Sequence, residues 1–310
     1  MTPNITTSRL DSPPPRIAAI HDLSGAGKCS LSIALPVLSA MGCEVCAMPT
    51  ALLSTHTGNI QGFTYRDLTD DLPRIAEHWA SLGLRFDAIY TGFAASTKQL
   101  AAISEAVDML RGPDTLVLVD PVMGDHGVLY KTYTAGMIDA MRQLCVKADI
   151  ITPNLTEAAM LLGIEYSEAL HSEQSLSIIM NDLLTIGPKR VVVTGVEFAD
   201  GQLGAAVSGQ ANIIPAEMSD HSKDGVPISF IKRPAIPGIW YGTGDLFASV
   251  LLGAVISGMA FADAAVMAVE TTHSSIERTL RNGTDPRFGV HFEAELGKLF
   301  QLSHKYAKLD

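Results

Sequence analysis

Four short stretches carry residue types that handle phosphate and magnesium. The first is Tyr241-Gly242-Thr243-Gly244-Asp245, followed by Leu246-Phe247-Ala248. A Gly-Thr-Gly turn that opens a helix bares backbone N–H groups, and the helix dipole adds positive potential there. Such a turn can hold the charge that develops during phosphoryl transfer. Asp245, in the first helical turn, stands where a carboxylate can take the proton of an attacking hydroxyl. A Gly-rich turn with an acid in the first turn also occurs for structural reasons alone, so this stretch gains meaning from the others. The second is a β-prone run over Thr115–Val119 that ends in Asp120-Pro121-Val122-Met123-Gly124-Asp125. Mg²⁺ takes oxygen ligands and keeps several waters, which two acids just past a strand end can orient. The same residues also make an ordinary turn. The third is Thr152-Pro153-Asn154-Leu155-Thr156-Glu157, where Asn154 and Glu157 have the spacing of a capping box. Its place at another strand end of the same sheet favours a nucleotide–Mg²⁺ role. In the fourth, Val193-Thr194-Gly195, Thr194 either hydrogen-bonds phosphate or marks a plain strand exit.

These stretches acquire their meaning from the elements that position them. Strands are expected at Arg16–Ile20, Glu44–Leu52, Ala88–Thr91, Thr115–Asp120, Asp149–Thr152 and Arg190–Thr194. Helices are expected at Ser30–Met41 (blemished by Pro36), Leu72–Leu82, Thr97–Leu110, Thr134–Cys145, Leu155–Leu162 and Ser172–Thr185. Residues 203–234 read as hairpin strands interrupted by the polar stretch Ser219–Gly225, in which His221 and Asp224 mark a solvated loop. Helices follow at Leu246–Ile256, Ala262–Leu280 and Phe292–Lys305. Alternating strands and helices argue for parallel β-α-β units with right-handed crossovers. Near-continuous apolar strands such as Val117-Leu118-Val119 and Val191-Val192-Val193 fit a sheet buried on both faces. In such sheets ligands bind beyond the carboxyl ends of the strands, where all four stretches fall.

Composition narrows the classes. The chain has 310 residues, 47% hydrophobic and 18% charged, which argues for a full core and against disorder of the main body. The net charge of −11 repels a phosphate backbone, so nucleic acid is not an expected partner. No apolar run reaches about 18 residues, so no membrane span is expected. Residues 1–15 are polar, end in Pro13-Pro14-Pro15 and lack the apolar core of a signal peptide. They read as a loose tail before one domain over 16–310, in a cytoplasmic protein. Cys43-Glu44-Val45-Cys46 is formally a C-x-x-C pair, but with no second pair and no nearby His it reads as a buried pair of reduced thiols.

The stretches around Asp120, Asn154 and Asp245 resemble those of ribokinase-like vitamin kinases and occur in the same order, and Ser54-Thr55-His56-Thr57-Gly58 resembles a Ser-Asn-His-Thr-Gly stretch of pyridoxal kinases. The resemblance runs from about Ile17 to the C-terminus. It implies a three-layer α/β/α sandwich with a mostly parallel central sheet, and ATP-dependent phosphorylation of the 5′-hydroxymethyl group of pyridoxal, pyridoxine or pyridoxamine. It implies that Asp245 is the base and that Gly242, Thr243 and Gly244 form the anion hole. Asp120, Asp125, Thr152, Asn154 and Glu157 would serve the phosphates and Mg²⁺, Asp120 and Glu157 toward the metal. Tyr130 and Thr194 would contact ATP, His56 and Thr57 would line the vitamer pocket, and Phe93 would stack beside the pyridine ring. It further implies a monovalent cation such as K⁺ and a homodimer.

The chain also departs from that family. Pyridoxal kinases usually hold the ring with a Ser shortly after the first strand. Here His21-Asp22-Leu23-Ser24 fills the region, so Asp22 or Ser24 could take the role. An acid there could favour pyridoxamine's ammonium or a protonated ring nitrogen. Phe93 stands where many members have Tyr. Ser24-Gly25-Ala26-Gly27-Lys28-Cys29 looks like a phosphate loop but lacks the first Gly and the hydroxyl residue after Lys. The stretch therefore reads as a Gly-rich turn at a substrate lid or pocket, with Lys28 as only a solvated side chain. The rivals are a hydroxymethylpyrimidine kinase, a sugar or nucleoside kinase and a non-catalytic vitamer or nucleotide binder.

Overall fold

The computed structural model describes residues 13–131, 133–208 and 227–306. The tail up to residue 12 and the Ser219–Gly225 stretch, with His221 and Asp224, lie outside the described residues. In chain order the strands are β1 Arg16–Ala26, β2 Glu44–Thr55, β3 Tyr65–Asp67, β4 Ala88–Thr91, β5 Leu116–Val119, β6 Gly124–Asp125, β7 Val128–Leu129, β8 Ile150–Ile151, β9 Arg190–Glu197, β10 Gln202–Ser208 and β11 Ile228–Pro234. The helices are α1 Leu31–Ala40, α2 Leu72–Ser81, α3 Thr97–Leu110, α4 Ala135–Val146, α5 Leu155–Leu162, α6 Glu173–Ile186, α7 Thr243–Ile256, α8 Phe261–Asn282 and α9 Leu296–Tyr306.

Nine strands form one sheet in the order β11-β10-β9-β8-β5-β4-β1-β2-β3. Strands β9 through β2 in that order are parallel, and β10, β11 and β3 are antiparallel additions at the edges. Side chains alternate between the two faces, as the period of a strand demands. Ala18, Ile20, Val117, Val119, Val191 and Val193 pack toward the core under α2–α6. Ile17, Leu118, Ile150 and Val192 pack toward the core under α1, α7, α8 and α9. The expected three-layer α/β/α arrangement is what forms. Burying each such Val, Leu or Ile contributes about 1.5–3 kcal/mol.

The chain passes from β1 to β2 through α1 on one face, then crosses to the other face with α2 and continues from β4 outward. The order therefore reverses at β1, and a crevice opens at its carboxyl end, where ligands bind in such sheets. Strand β1 continues to Ala26, well past the expected end at Ile20, and β2 continues to Thr55. The tail of β1, Asp22-Leu23-Ser24-Gly25-Ala26, has loop composition, but its pairing with β2 overrides local preference. The pairing skips between His21 and Leu23, so Thr50 and Ala51 together stand opposite Asp22. Such a bulge turns a side chain out of the regular pleat. β3 is a polar edge strand without alternation, and the sequence does not mark it. Nor does it mark the β6–β7 hairpin, whose turn residues His126 and Gly127 take φ 48° and 73°. Two left-handed residues suit a two-residue hairpin. α1 carries Pro36 inside it without ending. Of the C-x-x-C pair, neither cysteine is in a disulfide, and Cys43 is buried while Cys46 is only half-buried on β2.

Candidate active site

The Gly-Thr-Gly turn lies where expected, at the start of α7. Gly242 caps the helix with φ 76°, a left-handed conformation that suits glycine. A Cβ there would run into the Lys28 carbonyl oxygen and meet Ile33 Cδ1 at 2.8 Å. Residues 243–245 contribute the first N–H groups of the helix, which have no intrahelical partner and face outward with the positive end of the dipole. A Cβ on Gly244 would sit 3.8 Å from Asp120 Oδ2, so the turn and the acid after β5 border one space.

Asp120 is 5% exposed, and one of its oxygens is fixed by Thr152, whose Oγ1 donates to Oδ1 at 3.0 Å. Burial first, and then repulsion from Asp245, pushes its carboxyl up to about 7 against that hydrogen bond. Asp245 is likewise pushed up to about 7, by burial and by Asp22, against the Ser30 backbone N–H. Two neighbouring acids with raised pKa values are the arrangement from which a base and a cation ligand are made.

The segment after β8 forms the capping box read from the sequence. Asn154 Oδ1 accepts from the Glu157 N–H at 2.9 Å, and Glu157 Oε2 accepts from the Asn154 N–H at 2.8 Å. Glu157 Oε1 accepts from the Met123 N–H at 3.0 Å, and Asn154 Nδ2 donates to the Gly124 carbonyl at 2.8 Å. Asn154 and Glu157 thus tie the Asp120–Asp125 turn to α5. Burial first and Asp120 next push the Glu157 carboxyl well above the usual range, against the two N–H donors. With both oxygens engaged, Glu157 is suited to reach a metal through water. Asn154 also forms a single bridge with Thr194, which brings the fourth stretch alongside the third. Asp125 is exposed on the small hairpin, and Tyr130, 42% exposed, is held there by its N–H on the Met123 carbonyl. Among the described residues no group of three or more His, Cys, Asp or Glu could hold a metal by itself. Mg²⁺ bound mostly by phosphate and water needs only one or two carboxylates, and Asp120, with Oδ2 bordering Gly244, fits that need.

At the end of β1, Asp22 is 6% exposed, and burial pushes its carboxyl up. Ser30 Oγ donates to its Oδ1 at 2.6 Å, and Ser24 Oγ reaches Oδ2 at 3.5 Å. Ser30 therefore holds Asp22 through its hydroxyl, and its backbone favours the charged form of Asp245. It takes φ 50° and ψ −128°, which costs a non-glycine residue about 1–3 kcal/mol and so marks a place the fold over-determines. Ser30 was not among the sequence candidates. The only signal was a small hydroxyl residue just before a helical run, which reads as a cap, yet it makes no side-chain cap bond. Cys29 lies beside both acids, buried, with its thiol pushed up by burial and then by Asp245.

His56 lies across this crevice with both ring nitrogens engaged. The Gly58 N–H donates to Nδ1 at 3.0 Å, so Nε2 carries the proton and donates to the Arg287 carbonyl. What His56 offers a ligand is its ring, packed 5.2 Å from the Tyr241 ring. Thr57 is exposed beside it. Phe93 follows β4, half-buried, 6.3 Å from the Tyr133 ring. A Cβ on the intervening Gly92 would meet His21 Nδ1 at 2.5 Å, which explains the glycine. Lys28 is not a solvated side chain. Its Nζ pairs with Glu293 at 2.7 Å, and its N–H donates to the Phe288 carbonyl at 3.0 Å. A groove lined by Arg16, Glu44, Asp87 and Leu116 lies at the amino ends of the strands, away from Asp245.

The family model described as phosphomethylpyrimidine kinase matches residues 25–288. A pyridoxal kinase of Arabidopsis thaliana is 28% identical over 301 residues, covering 92% of this chain and 90% of that protein. The crystal structure of pyridoxal kinase from Lactobacillus plantarum superposes with a TM-score of 0.81 at 32% identity, covering 94% of this chain and 98% of that one. A Bacteroides thetaiotaomicron structure, provisionally assigned as a phosphomethylpyrimidine kinase and crystallised with pyridoxal, gives 0.83 at 36% identity, covering 92% and 95%. No helix among the described residues is long and apolar enough to cross a membrane. The chain belongs to the phosphomethylpyrimidine kinase family and stands with the pyridoxal kinases of the ribokinase-like superfamily.

Proposed function

We propose that this protein transfers the γ-phosphoryl group of ATP to the 5′-hydroxymethyl group of a B6 vitamer. The observation that carries the reading is the meeting of Asp245, Asp120 and the glycine turn at the mouth of α7. Pyridoxal in the Bacteroides relative and the activity named for the other relatives support it.

In this reading Asp245 takes the proton of the hydroxymethyl group, and the freed oxygen attacks the γ-phosphorus while ADP departs. The N–H groups of Gly242, Thr243 and Gly244 hold the negative charge on the moving phosphoryl group. Asp120, fixed by Thr152, would hold Mg²⁺, with Glu157 acting through water. When bound, Mg²⁺ supplies charge neutralisation of the phosphates. Asp125, Tyr130, Asn154 and Thr194 would line the nucleotide side. Asp22, Ser24, His56, Thr57 and Phe93 would line the vitamer side. A monovalent cation such as K⁺, a homodimer and a cytoplasmic location belong to the same reading. Positioning and charge stabilisation carry most of the rate in such a reaction.

The family description favours one second reading, a hydroxymethylpyrimidine kinase. ADP release with ATP, Mg²⁺ and K⁺ separates the two when pyridoxal, pyridoxine, pyridoxamine and hydroxymethylpyrimidine are compared. Turnover on a vitamer that exceeds turnover on the pyrimidine supports the proposal. Turnover on the pyrimidine alone sinks it, and binding without any ADP release leaves a non-catalytic binder.

A further inference from the structure

We propose that Tyr241 is a positioning residue that ties the loop after β2 to the glycine turn of α7, so that a vitamer seated against that loop also fixes the N–H groups that receive the phosphoryl group. The inference rests on the kinase reading above and adds to it a residue that acts through the turn.

The loop is closed at its base, where the Ser54 N–H donates to the Thr64 carbonyl at 3.2 Å and the Thr64 N–H donates to Ser54 Oγ at 2.8 Å. Between these ends it carries His56 and Thr57, assigned above to the vitamer. It meets Tyr241 in three ways. Asn59 Nδ2 donates to the Tyr241 hydroxyl at 2.6 Å. The Tyr241 ring lies against Gly58, where a Cβ would run into it, so only glycine lets the two meet. The His56 ring lies 5.2 Å from that of Tyr241, and His56 Nδ1 accepts from the Gly58 N–H at 3.0 Å. Asn59 takes φ 53° where its amide reaches the hydroxyl, a conformation that asparagine adopts more readily than most residues. Tyr241 is half-buried and Asn59 exposed, so water could satisfy that hydroxyl, and the bond is not needed for burial.

The other side of Tyr241 is the turn itself. Gly242 follows it directly and caps α7. It has no room to shift, since it fits between the Lys28 carbonyl and Ile33. Thr243 Oγ1 donates to the Trp240 carbonyl at 3.1 Å, and the Leu246 N–H donates to the Gly242 carbonyl at 3.0 Å. Residues 240–243 thus form one tight turn, and a displacement of the Tyr241 backbone passes to the N–H groups beyond it. Coupling of this kind is reciprocal: what orders the loop orders the turn, and the reverse.

Hydrogen exchange of the full chain without nucleotide, with and without saturating vitamer, reads the coupling apart from turnover. Pyridoxal, pyridoxine and pyridoxamine are the probes. In the wild type, a bound vitamer should slow exchange over both 56–62 and 241–245, at least about fivefold. In Tyr241→Ala it should slow 56–62 alone. Protection of 241–245 that survives in Tyr241→Ala comes from the vitamer directly and overturns the inference, as does a wild type protected at 56–62 only. Both results leave the kinase reading standing. No change with any vitamer overturns the inference, and if ADP release is also absent for every vitamer the kinase reading falls with it. Tyr241→Phe keeps the ring and Asn59→Ala changes an exposed residue, so kinetics on these two test the bond even if Tyr241→Ala does not fold. Each should raise KM for the vitamer about fivefold, equal to about 1 kcal/mol, with KM for MgATP unchanged and no further rise in the double variant. Effects that multiply to about twenty-five-fold, or equal rises in both KM values, overturn it.

Discussion

Gly244→Ala separates the chemistry of the α7 turn from its stability. Gly244 is the second residue of α7, and a Cβ built there meets nothing closer than Asp120 Oδ2 at 3.8 Å. An alanine therefore fits without strain, and replacing glycine by alanine inside a helix stabilises by about 0.5–1 kcal/mol. For a chain of this size that is a rise in Tm of about 1–4 °C. The new methyl occupies the space between the turn N–H groups and Asp120, which the account assigns to the transferred phosphoryl group. Blocking such donors costs about a hundredfold in turnover, by analogy with the loss of one oxyanion donor. Gly242→Ala gives the contrast. Its φ of 76° costs about 1–2 kcal/mol for an L residue, and the methyl overlaps the Lys28 carbonyl, at a further cost of about 1–3 kcal/mol. The assay pairs a thermal melt with ADP release. A Gly244→Ala protein that melts at or above the wild-type temperature while turnover falls at least tenfold supports the account. Full turnover in that protein refutes the placement of the phosphoryl group beside Gly244.

Other consequences are as direct. Because the pKa of Asp245 is raised to about 7 from an ordinary 3.8, the base is protonated in acid, and kcat/KM is expected to rise with pH through about 7. The same shift sets the sign for stability: the fold holds the protonated form better, so stability falls as pH climbs from about 4 to 7 and stays low above. Asp245→Asn should therefore melt higher than wild type at pH 8, and an unchanged melting temperature there would contradict the raised acid. Lys28→Met and Glu293→Gln break one ion pair, whose Lys28 backbone abuts both Gly242 and Gly289. Both should lower kcat alike, non-additively, with KM for ATP unchanged, whereas a large KM effect in Lys28→Met alone would make Lys28 a phosphate ligand. Glu157→Gln leaves one of the two N–H groups, on Met123 or Asn154, facing an amide donor, and should destabilise by about 1–3 kcal/mol in a chemical melt.

The stretches proposed for the nucleotide stood out in the sequence because they depend on local grammar. Asp120, Thr152, Asn154 and Asp245 each follow an apolar strand or open a helix, and the parallel sheet brings those ends together regardless of distance along the chain. The residues proposed for the vitamer stood out less because their placement depends on pairing. The sequence of the β1 tail reads as a loop, and only its register with β2 makes Asp22 the residue opposite a bulge. Ser30 has no local mark of its role, since Asp22 comes from β1 and Asp245 from α7. His56 was singled out by the resemblance of Ser54–Gly58, but the engagement of both its nitrogens depends on Gly58 and on Arg287, far along the chain. Lys28 shows the reverse case. The broken phosphate-loop pattern left it as a solvated side chain, and the fold pairs it with Glu293 instead.

The central claim is that Asp245 is the base of a B6 kinase, and ³¹P NMR of one reaction tests it most directly. Wild-type protein with MgATP and pyridoxamine should convert the γ-phosphate signal into a phosphomonoester and ADP. Asp245→Asn should bind both substrates with near-normal affinity and form the ester at least about a hundredfold more slowly. Ester formation by Asp245→Asn at the wild-type rate, or equal loss of nucleotide binding and turnover, would contradict the account.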